Sequence, residues 1–128
     1  MCDLDRELVP ECVTKICLYE GLQHLDVERA RSLLSRIALA FRPVPPLLLG
    51  AVPDLTRLEA FYDTPERMAE FRRRTAEGNE AIGTWWTRDE LTLLASSFGL
   101  DCTFRETGCP YSAHYRFDVL LAPRMAAR

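Results

Sequence analysis

A chain of 128 residues has room for one small α/β domain and not for two. Hydrophobic residues make up 48% and charged residues 27%, so a packed core is within reach and disorder is not the default. The net charge of −3 leaves no basic excess to release counterions, which argues against a nucleic-acid binder. The longest apolar run, 44–52, is interrupted by Pro45 and Pro46 and falls far short of the roughly 20 residues of a membrane span. The opening Met1-Cys2-Asp3-Leu4-Asp5-Arg6-Glu7 is acidic where a secretory leader is basic. Cys2, Cys12, Cys17, Cys102 and Cys109 are odd in number and form no C-x-x-C pair. They read as reduced thiols of a cytoplasmic protein, with no metal site.

The first regular element is V-T-K-I-C-L-Y, residues 13–19, between Pro10 and Gly21. It has little alternation, which predicts a strand buried on both faces, as in a parallel sheet. Asp26 can cap the helix that follows, with Glu28 near its positive end. Val27, Ala30, Leu33, Leu34, Ile37, Ala38 and Phe41 supply its apolar stripe, and Pro43 stops it. A second buried strand spans 47–52, and a short helical turn is expected within 55–63. Thr64-Pro65-Glu66 starts another helix, with proline at its first position. That helix ends near Gly78-Asn79. Its Arg72-Arg73-Arg74 run is offset by Glu70 and Glu77 and reads as a solvated face.

Thr87-Arg88-Asp89-Glu90 is a capping box ahead of the stripe Leu91, Leu94, Ala95 and Phe98, and Gly99 suits a left-handed cap. Strands follow at 101–106 and 114–121. The loop between them is too short for a crossover, so they pair antiparallel. The expected architecture is α/β, with about four strands: two parallel, then a C-terminal antiparallel hairpin, with flanking helices. The domain is expected over 1–122, with 123–128 a C-terminal tail.

The ordered set resembles the C-terminal half of a class I S-adenosylmethionine-dependent methyltransferase, a partial Rossmann-like fold. The stretch from Cys2-Asp3 through 13–19 to Glu20-Gly21-Leu22-Gln23-His24-Leu25-Asp26 resembles the family's region around its fourth strand. Leu47-Leu48-Leu49-Gly50 resembles its fifth strand. Trp85 to Leu91 and on to Leu100 resembles the helix before its sixth, and Tyr115 to Leu121 its last strand. The departure is large. The family's glycine-rich cofactor turn is missing, and glycines 21, 50, 78, 83, 99 and 108 form no G-x-G-x-x-G.

The resemblance implies S-adenosylmethionine as cofactor, bound weakly or not at all by the chain alone, and a small-molecule methyl acceptor. It suggests Asp3 as an acceptor for the adenine amino group. Tyr19, Glu20 and Gly21, at a strand's carboxyl end, are candidate cofactor contacts. Glu20, His24 and His114 are candidate bases. Trp85 and Trp86 are candidate pocket walls, one of them expected to serve as packing instead. Tyr111, Tyr115 and Arg116 on the last hairpin are candidate acceptor contacts, Arg116 for an anionic group. Each has a plainer reading as a loop anchor, a helix entry or a polar hairpin tip.

The family's sheet order leaves the edge of 13–19 open, guarded only by Lys15. Association is expected there, as a homodimer or with a partner chain bringing the missing strands. The alternative function is a non-catalytic, methyltransferase-like binding or regulatory subunit.

Overall fold

The computed structural model describes residues 12–108 and 110–124. Strand β1 (Ile16–Tyr19) leads through a 3-10 turn (Leu22–His24) to helix α1 (Val27–Ala40) and strand β2 (Leu47–Pro53). A second 3-10 turn (Leu55–Arg57) runs into the short helix α2 (Leu58–Phe61), followed by α3 (Pro65–Ala76) and α4 (Arg88–Ser96). Strands β3 (Leu100–Glu106) and β4 (Arg116–Pro123) complete the order.

The local signals act as their chemistry predicts. Asp26 caps α1 by accepting from the Arg29 amide, at 2.8 Å. Thr64 caps α3 ahead of its N-terminal proline. Thr87 and Glu90 exchange bonds as a complete capping box on α4. Gly99 turns out of that helix at φ +70°.

The four strands form one sheet in the order β1-β2-β4-β3. The β1–β2 pair is parallel, and β4 is antiparallel to both β2 and β3. This is the expected partial Rossmann-like, methyltransferase-type architecture. The register defines two faces. On the inner face, Ile16, Leu47, Leu121 and Cys102 form one cross-strand row, and Leu18, Leu49, Val119 and Phe104 the next. All of these belong to the core or pack against it. Helices α1 and α4 both cover this face: Ala30 and Leu34 of one and Leu91 and Leu94 of the other line a single small void with Leu49 and Leu121.

The outer face differs. Its row runs Cys17, Leu48, Leu120, Thr103. Cys17, Leu120 and Thr103 are exposed and Leu48 is half-buried. The expectation that the first strand is buried on both faces is therefore corrected: Ile16 and Leu18 are half-buried, while Cys17 and Tyr19 are exposed. Its apolar composition reflects one packed face and one that no described element covers.

Strand boundaries also move. The first strand begins at Ile16, because the parallel ladder starts with Ile16 opposite Leu47. The last begins at Arg116, because the amides of Tyr115 and Arg116 still close a turn onto the Ser112 carbonyl. It runs through Pro123, opposite Leu100, so the expected tail starts within a paired strand. The ladder is prolonged by the Arg124 amide, which donates to the Gly99 carbonyl at 2.9 Å. No helix among the described residues is long and apolar enough to cross a membrane.

Candidate active site

Open α/β sheets bind ligands at the carboxyl ends of their parallel strands. Here that end is built by β1, β2 and the segments laced to them. Tyr19, the last residue of β1, pairs with Gly50, and its ring lies across that glycine: a Cβ there would sit 2.6 Å from Tyr19 Cδ2. Glu20 follows at φ +55°, its amide donating to the Gly50 carbonyl. This left-handed conformation is uncommon outside glycine. Its carboxylate-bearing side chain is exposed at the strand end.

The 3-10 turn after β1 is held by the loop 83–86. The Thr84 amide donates to the Gln23 carbonyl at 2.8 Å, and the Trp86 indole N–H to the Leu22 carbonyl at 3.2 Å. Gly83, at φ +104°, lets the backbones meet, since a Cβ would stand 2.3 Å from that Gln23 oxygen.

Strand β2 bends at a bulge between Leu49 and Val52, where Ala51 takes φ +55°. Two side chains of β4 hold the bulge. Asp118 accepts from the Ala51 amide at 2.8 Å, and Arg116 Nη1 donates to the Ala51 carbonyl at 2.6 Å. The same Nη1 donates to Gln23 Oε1 at 2.5 Å. Arg116 thus staples the turn after β1 to the bulge of β2, with its guanidinium 5.0 Å from the Tyr115 ring centre. At 4% exposure it is a buried cation. Its Nε has no hydrogen-bond partner among the described residues. Asp54, just beyond β2, is buried and satisfied: it accepts from the Thr56 amide and hydroxyl and pairs with Arg57 at 3.4 Å.

An aromatic cluster closes the same end. Tyr115 lies 4.5 Å from Phe61 and 5.9 Å from Trp85 between ring centres, and Tyr62 packs on Phe61 and Phe71 at 4.7 Å each. Glu80 gathers the Tyr62 hydroxyl, the Gly83 amide and the Trp85 indole N–H. Burial first, then the bond to Glu80, raises the Tyr62 phenol above its ordinary value, so it remains protonated at neutral pH and is no base.

The expected site residues distribute as follows. Tyr19, Glu20, Gly21 and His24 occupy one stretch at the end of β1, and Gln23 ties that stretch to Arg116, next to Tyr115 and His114. His114 is exposed, its ring 4.8 Å from that of Tyr115. Tyr111 is 88% exposed on the loop. Asp3 lies outside the described residues.

Of the tryptophan pair, Trp86 is the packing member, a core residue with no exposed surface, and Trp85 belongs to the aromatic cluster. One expectation is corrected. Arg116 is not an open arm reaching for an acceptor, because Nη1 is committed to Gln23 and Ala51. Sequence reading missed Gln23, Ala51, Asp54, Glu80 and Asp118. Only Asp54, before a short helical turn, carried a local signal, as a cap. Gln23 and Ala51 meet Arg116 across 93 and 65 residues and Asp118 meets Ala51 across 67, whereas Glu80 acts on Tyr62, Gly83 and Trp85, 3 to 18 residues away.

Whether these residues could hold S-adenosylmethionine is decided by their surroundings. Gly21 seats the Leu18 side chain, since a Cβ would meet Leu18 Cδ1 at 2.4 Å. The groove of about 640 Å³ beside β1 is lined by Val13, Ile16, Leu18, Leu33, Ile37 and Phe41, with Lys15 its charged group. Among the described residues no carboxylate lines it to accept from ribose hydroxyls. The described residues therefore form one wall of a ligand site and not a cofactor cradle.

No protein-family model matches the chain, and no curated protein matches it in sequence. Solved structures do match. Magnesium protoporphyrin IX methyltransferase from Synechocystis PCC 6803, with SAH bound, superposes with a TM-score of 0.60 at 14% identity. That match covers 97% of this chain and 49% of the other. A SAM-dependent methyltransferase from Methanosarcina mazei gives 0.57 at 10% identity, over 89% and 60% of the two chains. An O-methyltransferase family protein from Burkholderia thailandensis gives 0.52 at 19%, over 90% and 31%. The chain thus spans between about a third and three-fifths of these structures, and over that span it has the fold of the class I S-adenosylmethionine-dependent methyltransferases.

Proposed function

We propose that this chain is the C-terminal part of an S-adenosylmethionine-dependent methyltransferase that acts on a small-molecule acceptor. A complementary N-terminal half, or dimerisation, would complete it. One observation carries the reading. Glu20 and His24 from the end of β1, Trp85 from the loop before α4, and His114, Tyr115 and Arg116 from the last hairpin gather at the carboxyl end of a methyltransferase-type sheet.

In this reading the chain's task is positioning. The Arg116 staple and the loop 83–86 hold the turn carrying Glu20 and His24 in one place. The aromatic cluster of Phe61, Trp85 and Tyr115 supplies an apolar wall for the acceptor. Glu20, His24 and His114 are exposed there as candidate bases for an acceptor proton. The described residues supply one wall of the site, and the cofactor's cradle would come from the complementary half. The protein is placed in the cytoplasm on its reduced-thiol reading.

The test is a calorimetric titration with S-adenosylmethionine and S-adenosylhomocysteine, on the chain alone and on the chain joined to its complementary half. Saturable binding by the completed protein, and weak or no binding by the chain alone, is the expected pattern. A completed protein that binds neither compound would leave the non-catalytic binding or regulatory subunit as the better reading.

A further inference from the structure

The aromatic cluster borders a second space. Between the end of α2, helix α3 and the loop at Ala81 lies an open pocket of about 360 Å³, apart from the groove beside β1. Phe61, Tyr62 and Phe71 give it three rings, Ala81 a methyl group, and Arg67 and Arg74 two guanidinium groups. Its volume falls within the range of small-molecule sites, which begins at about 300 Å³.

Three features fit this pocket to one chemistry. First, its rings are held in place without a ligand. Phe61 and Tyr62 meet edge to face at 4.7 Å between centres, and Tyr115 packs on Phe61 at 4.5 Å. The Tyr62 hydroxyl donates to Glu80, which also accepts from the Gly83 amide and the Trp85 indole N–H. Second, Phe71 serves no core. Helix α3 buries none of its residues, yet its one aromatic side chain packs on Tyr62 with the ring planes 32° apart. Third, Arg67 already lies over the same rings, its guanidinium 5.0 Å from the centre of Phe61 and 6.0 Å from that of Tyr62. It is tied to Asp63 at 2.9 Å and its side chain is still 47% exposed. A planar guanidinium that stacks on these faces stacks equally on a ring laid against them. Among the described residues, Glu66 and Glu70 balance the charge of the two arginines, so the lining selects for a ring and not for a charge.

We propose that this pocket binds an uncharged planar aromatic ring, held against Phe61, Tyr62 and Phe71, with Arg67 closing over its exposed face. Phe61 also packs on Trp85 and Tyr115, so the pocket adjoins the wall assigned to the acceptor. The methyl acceptor is then an aromatic compound, an assignment that rests on the proposed function; the binding of the ring does not.

The experiment titrates naphthol into the full chain by NMR, without S-adenosylmethionine, and compares it with decahydronaphthol, the saturated alcohol on the same skeleton. The expected result is saturable binding of naphthol, about tenfold tighter than that of the saturated alcohol because ring stacking adds to apolar burial. Nuclear Overhauser contacts should run from naphthol to the Ala81 methyl and the Phe71 ring. Phe71→Leu keeps apolar bulk and removes a ring, so it should weaken naphthol about three- to tenfold and leave decahydronaphthol nearly unchanged. Arg67→Ala, at an exposed position, should weaken naphthol about two- to fivefold, the scale of an exposed cation–π contact. Circular dichroism verifies that both variants are folded.

Equal affinity for the two alcohols, contacts away from Ala81 and Phe71, a folded Phe71→Leu that binds naphthol as the unaltered chain does, or no saturable binding by the folded chain would overturn the proposal. Naphthol held in this pocket by a protein whose completed form binds neither S-adenosylmethionine nor S-adenosylhomocysteine would uphold the aromatic site and remove the methyltransferase reading, which keeps the two failures apart.

Discussion

The sheet has two edges, and they are built on opposite terms. Strand β3 carries Asp101, Thr103 and Arg105 on its outer face and ends in Glu106, all of them exposed. Asp101 pairs with Arg124 at 3.0 Å, and Glu106 pairs with Arg57. Charges of both signs beside the ladder are how a terminal edge is kept from recruiting another strand. Strand β1 is Ile-Cys-Leu-Tyr, with Lys15 just before it and an aliphatic groove alongside. The difference teaches that one side of this sheet ends in solvent by construction, while the other has the composition of an interior strand. It also explains the Tyr19 ring, 54% exposed at the surface although it is seated on Gly50.

The comparison can be broken or sharpened by experiment. The largest effect should come from the core that both edges share. Phe117 is fully buried on β4, and Phe117→Ala should cost about 3–5 kcal/mol in chemical denaturation. Hydrogen exchange should then rise at β1 and β3 together; a rise confined to one edge would show that the sheet is not one cooperative unit.

Next is an exchange of edge character. Thr103→Val with Arg105→Val gives β3 an apolar outer face like that of β1. Sedimentation should then show concentration-dependent association through β3 that the unaltered strand does not support. An unchanged sedimentation coefficient would mean that these residues do not guard the edge.

Thiol chemistry offers a finer probe. Cys17 is exposed, whereas Cys102 is partly buried, with its thiol held above its ordinary value by burial. A maleimide should label Cys17 well before Cys102 in the folded chain and both alike in denaturant. Cys17→Lys should change stability by no more than about 0.5 kcal/mol, as expected for an exposed site. A larger loss would place Cys17 in the core.

The smallest effect concerns the end of β3. The hydrogen bond from Arg57 holds the Glu106 carboxyl below its ordinary value. A depressed carboxyl contributes stability above its unfolded value of about 4.3 and loses it as pH falls through the folded value. Glu106→Gln should therefore flatten the acid limb of the Tm profile below about pH 4.3 and barely move Tm at pH 7, since the pair is solvent-exposed. A large loss at neutral pH would give this exposed bridge more weight than its screening allows.

Local chemistry alone was enough for the helices and for the parallel and antiparallel pairs of neighbouring strands. The Asp26, Thr64 and Thr87 caps, the apolar stripe of α1 and the short loop before the last strand each act within a few residues, and such signals survive without knowledge of the fold. That Glu20 and His24 would share one end of the sheet with Tyr115 and Arg116 followed from the resemblance in strand order. Tertiary structure decided what each of them does there. Trp86 is core because its indole meets the Leu22 carbonyl, 64 residues away in sequence. Arg116 is a staple because a bulge at Ala51 turns a carbonyl toward it. Hydrophobic periodicity likewise read β1 as covered on both faces, since an apolar residue looks the same whether its neighbour is in place or still to come. Only the register, which sets Cys17 beside Leu48 and Leu120 on an open face, distinguishes the two. Periodicity reports which side chains avoid water, and long-range pairing decides what covers them.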